Sequence, residues 1–104
     1  MRKSIILCAG LAALLANGAS QAMDCSRPAT TTERLICSND RVSEADQRMA
    51  FAFFLAYRRA PDGVRKEQIR LAQREWETTV RDGCTDVPCL LRVYDERTLD
   101  LDQN

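Results

Sequence analysis

The 104-residue chain contains no histidine. That absence excludes a Ser-His or Cys-His nucleophile outright. It also removes the nitrogen ligand from any zinc site, and no C-x-x-C spacing is present to suggest a four-thiolate one. Lysine is almost missing too. Of 15 basic side chains only Lys3 and Lys66 are lysines. Arginine favours planar, bidentate pairing with carboxylates, although genomic bias and surface ion pairs account for the same preference. An excess of either charge is absent, with 15 acidic side chains against those 15 bases. This balance argues against nucleic acid or an anionic membrane as the main partner. The chain has no internal repeat, no low-complexity segment and no apolar run long enough to cross a bilayer as a helix.

The apolar run that does occur, residues 5–16, follows the basic start Met1-Arg2-Lys3 and is broken by Asn17 and Gly18. Ser20-Gln21-Ala22 then places small residues at the −3 and −1 positions of a cleavage site. Residues 1–22 are therefore expected to be a signal peptide removed after Ala22, which sends the protein to the periplasm or the medium. An uncleaved anchor is disfavoured because the run is short. Lipidation needs a cysteine just after a small residue at the end of the run. Cys8 lies inside it and Cys25 follows Asp24, so no membrane anchor is expected after cleavage. Residues 23–104 form one small domain. Losing Arg2 and Lys3 leaves 13 bases against 15 acids.

Four cysteines remain in that domain: Cys25, Cys37, Cys84 and Cys89. An even number in a short exported chain predicts a disulfide framework, and an oxidising compartment disfavours the four-thiolate zinc site that is its rival.

The hydrophobic spacing is helical throughout. Thr30-Thr31-Thr32-Glu33 has the S/T-x-x-E form of a capping box, and a short helix carrying Leu35, Ile36 and Cys37 follows it. Ser38-Asn39-Asp40 reads as a turn and a second cap. A long helix is predicted over residues 41–59, with Val42, Ala45, Met49, Ala52, Phe53 and Ala56 as its core face. Ala60-Pro61-Asp62-Gly63 breaks it. A third helix, over residues 64–81, carries a stripe of Ile69, Ala72, Trp76 and Val80, and Gly83 stops it. Pro88 suits the first turn of a last helix bearing Leu90, Val93, Tyr94, Arg97 and Leu101.

The predicted fold is thus all-α: a small disulfide-linked bundle of three to four helices built on an antiparallel helical hairpin. Residues whose numbers sum to about 122–124 face each other across such a hairpin. Trp76 then lies opposite residues 45–49, and the four cysteines gather at the end away from the turn. Local closure favours Cys25–Cys37 and Cys84–Cys89; the hairpin register makes Cys37–Cys84 the alternative.

These residues together resemble a known family. The C-x11-C pair around "TTTERLIC", Asp40 and Asp46, Tyr57, "QREWETTVRDGC" and "CLLRVYDERTLDL" are similar to the LprI-like lysozyme inhibitor domain. The resemblance runs over residues 25–101. It implies a small, disulfide-linked helical domain of the bacterial envelope, and inhibition of lysozyme. The chain departs from the family type in lacking a lipidation cysteine. It also has Val42 where a leucine is usual, and its stretch 51–55 is rich in phenylalanine.

The residues themselves offer little catalytic chemistry. Glu75 and Glu77 point to different helix faces, Asp100 and Asp102 sit near a chain end, and so small a domain leaves little room for the cleft of a glycosidase. No catalytic residue, metal ligand or cofactor is assigned, and a wall-acting enzyme is the weakest reading. Trp76 is expected in the core. Asp46 is expected to pair with Arg74 or Arg81. Phe51, Phe53, Phe54, Leu55 and Tyr57 exceed what one helix face can bury; the last helix is expected to cover the surplus, the alternative being an apolar patch for a partner or a dimer. The hairpin tip offers Arg58 and Arg59 to the two carboxylates of a lysozyme cleft, with Phe54 supplying apolar area. The acidic tail "YDERTLDLDQN" offers long-range attraction to a basic enzyme instead. The expected function is binding a protein, as monomer or homodimer. Inhibition of a lysozyme or related wall-cleaving enzyme leads, and an envelope accessory protein without inhibitory activity is the alternative.

Overall fold

The computed structural model describes residues 22–104, so the predicted signal peptide lies outside the described residues, Ala22 excepted. Four helices follow one another: α1 (Thr31–Ser38), α2 (Asp40–Arg59), α3 (Gly63–Thr79) and α4 (Val87–Asp102), with a single 3-10 turn, Arg81–Gly83, between the last two. Each helix starts where a side chain can satisfy a free amide at its N-terminus. Thr30 Oγ1 accepts from the Glu33 amide at 3.0 Å, and Glu33 Oε1 accepts from the amides of Thr30 and Ala29, which completes the expected capping box. Asn39 both ends α1 and caps α2, accepting from the Val42 amide. Asp62 caps α3 and Asp86 caps α4, where Pro88 occupies the first turn.

The hairpin forms in the expected register. The Gln73 amide meets Met49 Sδ at 3.0 Å, and Lys66 Nζ donates to the Tyr57 carbonyl at 2.7 Å. Then α4 returns antiparallel to α3, with Arg97 Nε on Gln73 Oε1 and the Trp76 ring edge-on to Tyr94. Consequently α2 and α4 run parallel: Tyr94 contacts Asp46 near one end and Arg59 contacts the main chain of Leu101 near the other. α2 packs more extensively on α4 than on its hairpin partner α3. The sequence of α3 explains this, since only Ile69, Gln73 and Trp76 are buried along it.

That burial corrects the predicted α3 stripe. Ala72 is exposed and Val80 is 40% exposed, whereas Gln73 is 1% exposed. The helix ends at Thr79 and the 3-10 turn swings Val80 outward. Gln73 can be buried because both ends of its amide have partners, Met49 and Arg97. The other core residues fall as expected: Ile36, Val42, Ala45, Met49, Ala52, Phe53 and Ala56 pack with Leu90, Val93, Tyr94 and Leu101.

Two disulfides close the end opposite the hairpin turn, Cys25–Cys37 and Cys84–Cys89, which is the local pairing. The two bridged segments touch, since Thr32 Oγ1 donates to the Cys84 carbonyl at 3.2 Å. Among the described residues no helix is long and apolar enough to cross a membrane.

Candidate functional site: an uncovered aromatic face on α2

Two regions hold more polar or aromatic groups than a plain helical bundle requires. The first is a buried polar cluster at the disulfide end. The Asp46 carboxylate is 3% exposed and accepts from the Tyr94 hydroxyl at 2.9 Å and from the Met23 amide at 2.6 Å. Arg81, also buried, spends its guanidinium on Asp82 at 2.9 Å and Glu33 at 3.6 Å. The expected pairing of Asp46 with Arg74 or Arg81 is therefore replaced by a phenol and a main-chain amide. Burial pushes the Tyr94 hydroxyl well above the usual tyrosine range, and the adjacent Asp46 charge pushes it further. This cluster faces inward, and its partners are accounted for by the fold.

Glu77 lies beside the cluster, half-buried. Burial raises its carboxyl above the usual range, opposed by the charges of Arg81 and Arg74. A carboxyl whose folded pKa exceeds its unfolded value contributes stability that is complete below the unfolded value and is lost as pH rises through the folded one. Glu77→Gln removes that loss. The thermal midpoint of the variant relative to wild type is expected to rise between pH 4 and pH 7, as followed by circular dichroism. A flat or falling difference contradicts this.

The second region is the outer side of the α2–α4 seam, away from α3. Here parallel α2 and α4 leave an open groove of about 550 Å³. Arg48, Phe51 and Leu55 line it from α2 and Thr98 and Asp102 from α4, with Glu44 at one end. Phe53 is buried, but Phe51 is 61% and Phe54 37% exposed. The expectation that the last helix covers the surplus aromatics is thus overturned. A helix turns 100° per residue, so a flank that puts Phe53 and Ala56 into the core must aim Phe51 and Phe54 elsewhere.

The three residues expected to bind a partner lie at the C-terminal end of α2, but their surroundings differ. The Arg58 guanidinium rests over the Phe54 ring, 5.6 Å from its centroid, a favourable contact that leaves both at the surface. Arg59 donates through Nε and Nη2 to the main-chain oxygens of Asn104 and Leu101 at 3.2 Å. It closes the C-terminal end of α4, where free carbonyls and the helix dipole favour a cation. Trp76 is in the core against Tyr94, as expected. The groove walls Glu44 and Arg48 carried no signal in the sequence, and Thr98 and Asp102 figured there only as part of an acidic tail, because only the parallel alignment of α2 with α4 brings the four together.

Chemically, this face can bind but has no evident reactive group. The four cysteines of the described residues are oxidised. Among those residues no group of histidine, cysteine or carboxylate side chains could hold a metal ion. What remains is exposed aromatic area bordered by two arginines, a composition favoured at protein interfaces.

The sequence model of the family "Lysozyme inhibitor LprI" matches residues 22–101. The chain belongs to the LprI family. Curated LprI relatives include "Lipoprotein LprI" of Mycobacterium bovis and of two strains of Mycobacterium tuberculosis, each 32% identical over 87 residues. The alignment takes in 80% of this chain and 42% of each relative, so the chain spans less than half the length of the curated relatives it matches. No solved structure matches it. The LprI match encloses both disulfides, Phe51, Phe54 and Leu55, and the Thr98 side of the groove. In this LprI domain Cys25 is bonded to Cys37, so its sulfur is not free to carry a lipid.

Proposed function

We propose that this LprI-family chain is an exported protein-binding domain that inhibits a lysozyme or a related wall-cleaving enzyme through the aromatic face of α2. The observation that carries the reading is the exposed Phe51, which lines the α2–α4 groove, with Phe54 also exposed on the same helix while Phe53 is buried. Family membership supplies the class of partner. Export is supported by the two disulfides, which persist in oxidising compartments.

The physical logic is that of a plug. A lysozyme cleft carries two catalytic carboxylates and binds an extended sugar chain. A rigid helix edge presenting Phe51 and Phe54 fills apolar parts of such a cleft. Arg48 and Arg58 flank those rings and bring positive charge to the acids. Arg59, held by the end of α4, stiffens the edge rather than contacting the partner. The exposed acids Asp95, Glu96 and Asp100 on α4 favour encounter with a basic enzyme.

Residual activity of a lysozyme against cell-wall substrate, measured with increasing amounts of the purified domain, tests the proposal. Loss of activity that saturates near one domain per enzyme is expected. Full activity at a severalfold excess over several lysozyme classes sinks it, and leaves the accessory reading, in which the same face holds another envelope protein.

A further inference from the structure

Asp46 is the most deeply buried carboxylate of the described residues, and its donors are unusual. One is the Tyr94 hydroxyl. The other is the main-chain nitrogen of Met23, the residue that follows the expected cleavage site after Ala22. No basic side chain of the described residues lies within ion-pair distance of Asp46, since Arg81 is engaged by Asp82 and Glu33. A charge taken out of water without a counter-charge is strongly disfavoured. The Met23 side chain packs against the core as well, which holds its nitrogen beside the carboxylate.

We infer that Asp46 is the receptor for the new amino terminus released by signal-peptide cleavage, so that processing at Ala22–Met23 completes the fold by forming a buried ion pair. Hydrolysis breaks the Ala22–Met23 amide. The oxygen of water ends on the Ala22 carboxylate, and both its protons end on the Met23 nitrogen, which becomes an ammonium. That nitrogen already lies 2.6 Å from Asp46 Oδ2, so the counter-charge arrives with no rearrangement of the carboxylate. Before cleavage the same atom is a neutral amide. Asp46 then has no ion-paired cation, only the longer-range charge of Arg81, which Asp82 and Glu33 engage, and desolvation raises its carboxyl above the usual range. Full stability is thereby reserved for the processed, exported chain. The inference goes beyond the inhibitor reading and does not depend on it.

The groups facing Asp46 fix the pH behaviour: Tyr94 from α4, Arg81 from the 3-10 turn and Glu77 from α3. An α-ammonium paired with a buried carboxylate has its folded pKa raised above the ordinary value of about 7.7–8.0. Its contribution is complete below that value and is lost as pH rises through the folded one.

The test compares exported protein with the native junction and exported protein carrying a Gly-Ser insertion between Ala22 and Met23, each in wild-type and Asp46→Asn backgrounds. Mass spectrometry of the native form is expected to show a chain starting at Met23; another start overturns the inference. The insertion is expected to lower the thermal midpoint at pH 7 by on the order of 10 °C in the wild-type background and to add little to Asp46→Asn. An equal shift in both backgrounds, or none in either, overturns it. Should Asp46→Asn fail to fold, the α-amino pKa of the native mature protein, read by NMR titration, decides the matter alone. A value at least about one unit above the ordinary range supports the pair, and an ordinary value overturns it.

Discussion

Reduction of both disulfides is expected to unfold the domain at 37 °C. The bridges join residues 12 and 5 positions apart. In the chain-entropy description, closing loops of those lengths stabilises the native state by about 3 and about 2 kcal/mol. A domain of this size has a total stability of roughly 4–12 kcal/mol, so losing both takes away a large part of it. The first bridge does more than its loop length suggests. It ties the segment before α1, and that segment delivers Met23 to Asp46 and Ala29 to Glu33. α1 has only eight residues and is too short to persist by itself. Thermal unfolding with and without a reductant, followed by far-ultraviolet circular dichroism, measures the effect. Replacing Cys84 and Cys89 with serine is expected to lower the midpoint less than replacing Cys25 and Cys37. Retention of the native midpoint after complete reduction would show that the helical core suffices unaided.

How much of this was legible in the sequence depended on whether the signal was local. Thr30 and Glu33 are three residues apart, so their capping box could be read directly, and so could the breaks at Pro61-Asp62-Gly63 and Gly83. The hairpin register followed from its turn, and the Gln73–Met49 contact obeys it. The expected apolar stripe of α3 fails at Ala72 and Val80 because the polar Gln73 takes the interior position. Its burial rests on Arg97, a residue 24 positions away. The same limit hid the groove. The parallel alignment of α2 and α4 is set by how α3 and the 3-10 turn return the chain, which no periodicity reports. Phe51, Phe54 and Leu55 stood out as surplus aromatics and aliphatics, but nothing local to Arg48, Thr98 or Asp102 marked them as lining the same groove. The contact of Arg59 with the carbonyls at the end of α4 was likewise hidden, because it joins residues 42 and 45 positions apart.

Phe51→Ser is expected to weaken inhibition by on the order of 30-fold while leaving the fold intact. A buried aromatic anchor at a protein interface is commonly worth about 2 kcal/mol or more on truncation, and 1.4 kcal/mol is a factor of about ten in affinity. The stability of the free domain should change little, because Phe51 is 61% exposed and a serine there leaves no cavity. Arg58→Ala makes a useful contrast. It removes a rim charge and the contact over the Phe54 ring, so it should slow association more than it speeds release. Arg59→Ala should act the other way round, lowering the unfolding midpoint by freeing the end of α4 and altering inhibition only through the stiffness of that edge. Inhibition constants and unfolding midpoints of the three variants, measured side by side, therefore separate the groove from the hairpin tip. If Phe51→Ser inhibits as well as wild type while Arg58→Ala does not, the partner docks at the tip and the groove is not its seat. If all three variants inhibit normally, the partner docks at neither place.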